Sequence, residues 1–94
     1  MSRTIHRFEI PIDDKPVTFE APFIGDKVTA LPSREAFDRV DIWLEVNQNH
    51  KVEPRKRAFL VVGTGHSFPP GFWWVATVPG AMGLIWHVLE GVAP

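Results

Sequence analysis

The sequence predicts a mainly all-β fold: an antiparallel rolled sheet, small barrel or sandwich of about six or seven short strands. Two observations lead there. Nine prolines and seven glycines cut the 94 residues into segments too short for ordinary helices. The segments between them either alternate apolar and polar side chains at the two-residue period of a strand or run continuously apolar over strand length. A chain this short offsets its conformational entropy with one core, so residues 1–94 are read as a single β domain.

Arg3 to Ile10 opens the series, with His6, Phe8 and Ile10 on one face and Ile5, Arg7 and Glu9 on the other, and Pro11 ends it. Asp13, Asp14 and Lys15 make a polar turn. Pro16 to Glu20 then returns as a second strand and, being the most local, is the expected hairpin partner of the first. Lys27 to Leu31 is a short third strand. Pro32 to Phe37 reads as a polar excursion holding at most one short helical turn near residues 33–39, which Ser33 could cap.

Asp38 to Asn47 fits two periods. Phe37, Val40 and Leu44 have helical spacing, whereas Val40, Ile42, Leu44 and Val46 alternate with Asp41, Trp43 and Glu45. The strand template matches more positions, and the β-branched content favours it. Asn47 to Glu53 follows as a polar loop containing His50. Arg55 to Gly63, Phe72 to Val78 and Leu84 to Glu90 complete the strands, separated by the Gly63 to Gly71 loop and the Pro79 to Gly83 turn; Gly91 to Pro94 read as a loose end.

Composition narrows the function classes. No cysteine is present, so disulfides and thiolate metal sites are excluded. A net charge of −1 argues against a dedicated nucleic-acid binder. The cluster of Arg55, Lys56 and Arg57 beside Lys51 reads as the solvated end of an apolar strand. No long apolar run follows the basic start Ser2 to Arg7, so neither a signal peptide nor a membrane span is expected and the default location is cytoplasmic.

Ala58 to Val62, Phe72 to Val75 and Leu84 to Leu89 are apolar on both strand faces, which an antiparallel sheet tolerates only when both faces are covered. Two exposed Trp side chains would forgo several kcal/mol of burial at ~25 cal/mol per Å², so Trp73, Trp74 and Trp86 are expected to be largely covered. Either a closed sheet encloses them, or Phe72, Trp73, Trp74 and Trp86 form an interface.

Gly63, Thr64, Gly65 and His66 form the most distinctive loop. Its glycines permit positive φ, and successive backbone N–H groups there could make an anion nest, with Thr64 and His66 as further donors. The plainer reading is a strand-ending turn with His66 bonded to nearby backbone, since no Lys and no helix N-terminus follow. His6, His50, His66 and His87 lack the short spacing that puts two imidazoles on one metal. His87 reads as a packed histidine with backbone partners. Ser33, Ser67, Asp38 and Asp41 are available for hydrolysis but nothing groups them, and adjacent Asp13 and Asp14 are turn formers, so no enzymatic role and no cofactor is expected.

Four segments carry a resemblance: Thr4 to Pro11, Asp41 to Val46, Val62 to His66 and Ile85 to Glu90. Through them the chain resembles, nearly end to end, a group of small functionally unassigned proteins of bacteriophages and prophages, many from actinobacterial hosts. Where that group passes from the third strand by a short turn, Pro32 to Arg39 here is added sequence. The resemblance implies a protein acting in the cytoplasm of a bacterial host cell and brings no catalytic role. The leading expectation is an interaction module that self-associates through its aromatic C-terminal strands and inhibits a host or defence protein. The alternatives are a binder of a small anionic ligand such as a nucleotide, using Gly63 to His66, and a minor virion component.

Overall fold

The computed structural model describes residues 2–49 and 51–92. Seven strands follow one another as β1 (Arg3–Pro11), β2 (Val17–Ala21), β3 (Thr29–Pro32), β4 (Arg39–Asn47), β5 (Arg55–Gly63), β6 (Phe72–Pro79) and β7 (Ile85–Gly91). All pairings are antiparallel, in a three-stranded sheet ordered β1-β4-β3 and a four-stranded sheet ordered β2-β5-β7-β6. The ambiguous Asp38 to Asn47 segment is a strand, as its alternation requires. Among the described residues no helix is long and apolar enough to cross a membrane.

The sheets face each other across a common core, which makes the fold a sandwich. Phe8 and Ile10 of β1 and Val40, Ile42, Leu44 and Val46 of β4 point inward from one side; Phe59, Val61, Val78 and Val88 meet them from the other. After β2 the chain crosses back to the first sheet. Phe23 bridges Val46 and Ile24 N–H donates to Glu45 C=O at 2.9 Å, prolonging the line of β3 along β4.

One local expectation is corrected. The first two strands do not form a hairpin: β1 pairs with β4 and β2 with β5. Register explains the preference, because Phe8 and Ile10 lie opposite Ile42 and Val40 and so complete one apolar face. The intervening turn, closed by Lys15 N–H on Asp13 Oδ1 at 3.0 Å and with Asp14 at φ 58°, passes the chain between sheets. Ser33 Oγ does accept from the N–H groups of Glu35 and Ala36, at 3.2 and 3.3 Å, but no helical turn follows. The carbonyls of Asp38 and Arg39 are taken by Ile12 and Ser33 N–H, which returns the chain directly into β4. The one 3-10 turn among the described residues is Ala81–Gly83, between β6 and β7.

The outer face of the three-stranded sheet is ionic. Arg39 meets Glu9 at 2.6 Å, and Arg7 stands 3.5 Å from Asp41 and 3.6 Å from Glu35. Its hydrogen bond to Glu9 raises the Arg39 pKa above the ordinary guanidinium value. Asp41 is fully buried under this network.

Arg57 departs from the expected solvated cluster. It is 2% exposed, points into the core beside Phe59, and makes a two-pronged bond to Glu90, Nε to Oε2 and Nη2 to Oε1, both at 2.7 Å. Nη2 also donates to Asp26 C=O at 3.1 Å, and the guanidinium carbon lies 5.3 and 5.5 Å from the Phe59 and Phe23 ring centres. Alternation puts Arg57 on the inward face with Phe59 and Val61 and Lys56 on the outer face; Arg55 shares the inward parity but is the first residue of β5 and is exposed, and Arg55 and Lys56 pair with Asp26 and Glu20. Gly91, expected at the loose end, is the last residue of β7 and is buried; residues 93 and 94 lie outside the described residues.

Candidate functional site

The outer face of the four-stranded sheet is unlike the ionic face opposite. Leu60, Val62 and Leu89 point outward there, yet each is at most 3% exposed. Phe72 packs over them from the edge strand. Its ring takes the space a Cβ at Gly91 would need, 2.7 Å from that position, so the ring packs against the backbone of β7. The loop after β5 supplies further cover by folding back through a turn closed by His66 N–H on Gly63 C=O at 3.1 Å, with Gly65 at φ +86°. Positive φ at the third position of the turn is the requirement only glycine meets without strain.

Between this loop and β6 lies an open, largely apolar cleft of about 310 Å³, lined by Val62, Gly63, Gly65, His66, Phe68, Trp74, His87 and Leu89. Trp74 stands at its rim and is 67% exposed. Its side chain is nevertheless fixed. The indole N–H donates to Ala76 C=O at 3.1 Å and to Thr77 Oγ1 at 3.0 Å, and the ring meets His87 edge to face with centroids 6.1 Å apart. His87 is fixed in turn, with Nδ1 3.0 Å from Thr77 Oγ1 and Nε2 2.8 Å from Thr64 Oγ1. A continuous line of hydrogen bonds thus runs Trp74, Thr77, His87, Thr64 and ties the edge strand to the loop.

The two candidate groups of the sequence therefore meet at one place. Gly63, Gly65, His66 and Trp74 line the same cleft, Thr64 holds its histidine, and Phe72 packs on the apolar floor beneath it. Trp86 does not belong to it: the ring faces inward and packs against the core from the opposite side of β7. Trp73 is paired with Glu90 of β7, on the other face of β6 from Trp74, and is 49% exposed. The expectation that Trp73 and Trp74 are largely covered is thus corrected. Cover for the outer face comes from Phe72 and the loop, while β6 is the edge strand of its sheet, hydrogen-bonded to β7 alone.

His87 is packed as expected, but its partners are threonine hydroxyls rather than backbone. His66 Nδ1 lies 3.7 Å from Asp14 Oδ2, both exposed, so a carboxylate stands beside the loop that sequence offers as an anion nest. The hydrolytic candidates are not gathered, Asp41 lying under the outer face of the opposite sheet. Among the described residues no three His, Asp or Glu side chains are grouped to hold a metal ion; His50 lies outside them. Phe68 and Thr77 escaped the sequence reading. Thr77 faces His87 across the β6–β7 pairing, so the register about the Pro79 to Gly83 turn carried the signal.

Fold and site together define a two-sheet antiparallel β-sandwich whose three-stranded sheet is ionic on its outer face and whose four-stranded sheet carries the Trp74 cleft on its own. The chain belongs to the family described as a domain of unknown function, DUF7352, whose family model matches residues 1–94. No curated protein and no solved structure matches it.

Proposed function

We propose that this domain is a protein-interaction module that receives an uncharged, apolar element of a partner on the cleft and on the Trp74 ring beside it. The observation that carries the reading is Trp74 itself, two-thirds exposed yet held by two hydrogen bonds and an aromatic contact. An exposed ring already fixed in place loses little further entropy on binding, and Trp is the residue type most enriched at binding hot spots.

Charge supports the same face. All ten Lys and Arg residues lie at or before Arg57, and of the eleven acidic residues only Glu90 lies beyond it, buried against Arg57. The Gly63 to Gly71 loop, β6, the following turn and the exposed part of β7 therefore carry no Lys, Arg, Asp or Glu in contact with solvent. Exposed Phe68, Trp73, Trp74, Leu84 and Ile85 belong to that region. The resemblance to small phage proteins fits a task of this kind, in which the module occupies a protein of the bacterial host, a defence component included, and blocks it.

The test is affinity capture from host lysate with the tagged domain and with a Trp73→Ala, Trp74→Ala variant whose folding is checked by circular dichroism. A stoichiometric partner lost with the variant supports the reading, with a drop of about 2 kcal/mol or more, roughly thirty-fold in affinity, at a hot-spot Trp. A partner retained at full strength by the folded variant overturns it.

The cleft volume, at the lower end for small-molecule sites, favours as second reading a small ring-bearing ligand stacked on Trp74. An anionic one would have to tolerate Asp14 beside His66. Calorimetry with a nucleotide panel on wild type and His66→Ala decides it: heat that the variant loses favours the ligand, and no heat with either protein leaves the loop as a wall of the cleft.

A further inference from the structure

A larger cleft, of about 530 Å³, opens where the crossing after β2 and the loop between β4 and β5 meet beside His6 of β1, and it shares no lining residue with the Trp74 cleft. Its volume lies well within the range of small-molecule sites. Pro22, Val46, Val52 and Pro54 give it apolar walls, and His6, Asn47, Gln48 and Asn49 supply its polar groups. Among the described residues no Lys, Arg, Asp or Glu lines it.

The walls are formed before any ligand arrives. Asn47 N–H donates to Pro22 C=O and Gln48 N–H to Ser2 C=O, both at 2.9 Å, which ties the loop to the crossing and to the start of the chain. Within the loop Asn47 Oδ1 accepts from Asn49 N–H at 2.8 Å, and Asn49 Oδ1 from Lys51 N–H at 3.0 Å. A site already ordered loses little further entropy on binding.

The same two bonds determine what the site still needs. A backbone N–H requires an oxygen, so both carboxamides are turned the same way: their oxygens are engaged by the loop and their NH2 groups are left over. Asn47 is only 8% exposed, and its NH2 meets no acceptor among the described residues. A donor so placed is unfavourable until an oxygen reaches it.

We propose that this cleft binds a small uncharged molecule of the amide class, a lactam, imide or pyrimidine-type ring, whose carbonyl oxygen accepts from the Asn47 NH2 and whose body lies against the apolar walls. The donors left over select an oxygen acceptor. The lack of a cationic group selects against a carboxylate or phosphate, because an anion taken out of water between proline and valine side chains would have no counter-charge. An amide also brings its own N–H, which Gln48 Oε1 or a ring nitrogen of His6 can accept. The proposal does not depend on the Trp74 surface.

Titration of the isotope-labelled full chain with caprolactam and with uracil, followed by nuclear magnetic resonance, tests this. Saturable shifts are expected at the Asn47 side-chain NH2 and at Val46, Gln48 and Val52, in the millimolar range for probes so small, with none at the Trp74 indole N–H. Asn47→Asp is the decisive variant. A carboxylate still accepts from Asn49 N–H but offers no donor, so binding is expected to weaken roughly tenfold or more in a domain whose other signals are unchanged. Should that variant not fold, Val52→Trp, which fills the cleft from an exposed position, is expected to abolish the shifts. No saturable shift with either probe overturns the proposal, as does equal binding by folded Asn47→Asp. Benzoate, a ring of similar size carrying a carboxylate, is expected not to saturate, and benzoate binding as tight as that of the lactam overturns the uncharged class. Shifts at Trp74 and Phe68 alone also overturn it and assign the probes to the other cleft.

Discussion

Trp74 and Arg57 show how much one side chain's setting decides. The indole of Trp74 is in water but not free, because Thr77 Oγ1 sits within reach of both the indole N–H and His87 Nδ1. Thr77→Val keeps the shape and removes that oxygen. Stability is expected to fall by only about 1 kcal/mol, the net worth of such bonds near solvent. Partner affinity is expected to fall roughly tenfold as the ring regains rotational freedom, a difference readable by comparing a thermal melt with a binding titration. Arg57 is the converse, a charge wholly removed from water and matched to Glu90. Arg57→Met strands the carboxylate and is expected to cost about 3–5 kcal/mol, whereas Arg57→Met with Glu90→Leu is expected to return most of that loss. Denaturant titrations of the two variants check it, and equal losses would show that the stranded carboxylate is not the source of the cost.

At the scale of the strand, the unusual feature is that β5 and β7 bury both faces. Val61 and Val88 meet the opposite sheet, while Leu60 and Leu89 lie under Phe72 in a second, smaller apolar cluster. Leu89→Ala is therefore expected to cost about 2–5 kcal/mol, as an interior leucine would, although it points away from the main core. Gly91→Ala is expected to displace the Phe72 ring and to cost about 1–3 kcal/mol by overpacking, visible as a lowered denaturation midpoint. These strands were legible in the sequence because a run such as Ala58 to Val62 has no polar position to expose. Arg55 and Gly63 bound β5 where proline and glycine signals placed them. Pairing was less legible. Locality favours a β1–β2 hairpin, but the match of Phe8 and Ile10 to Ile42 and Val40 is a contact between distant residues that no local pattern reports. Arg57 was misread for a related reason: a run of three basic residues looks solvated until the strand period is carried through it.

For the whole molecule, the decisive property is its division into a charged first part, which supplies the three-stranded sheet and the edge strand β2, and a nearly uncharged second part, which supplies β6, β7 and most of β5. That division was present in the sequence, and both halves of the candidate site were singled out there. Their meeting in one cleft was not legible, since Gly63 to His66 and Trp74 come together only through the β5-β7-β6 order and the turn after Gly63. The working surface is found by replacing Phe68 at the cleft, and separately Ile5 on the ionic face, with a photo-crosslinking amino acid in cells that make the protein. Position 68 is expected to be joined to another polypeptide, in an adduct that Trp74→Ala abolishes, while position 5 gives none. Adducts from position 5 with none from position 68 would place the working surface on the other sheet and contradict the proposed role of the Trp74 cleft.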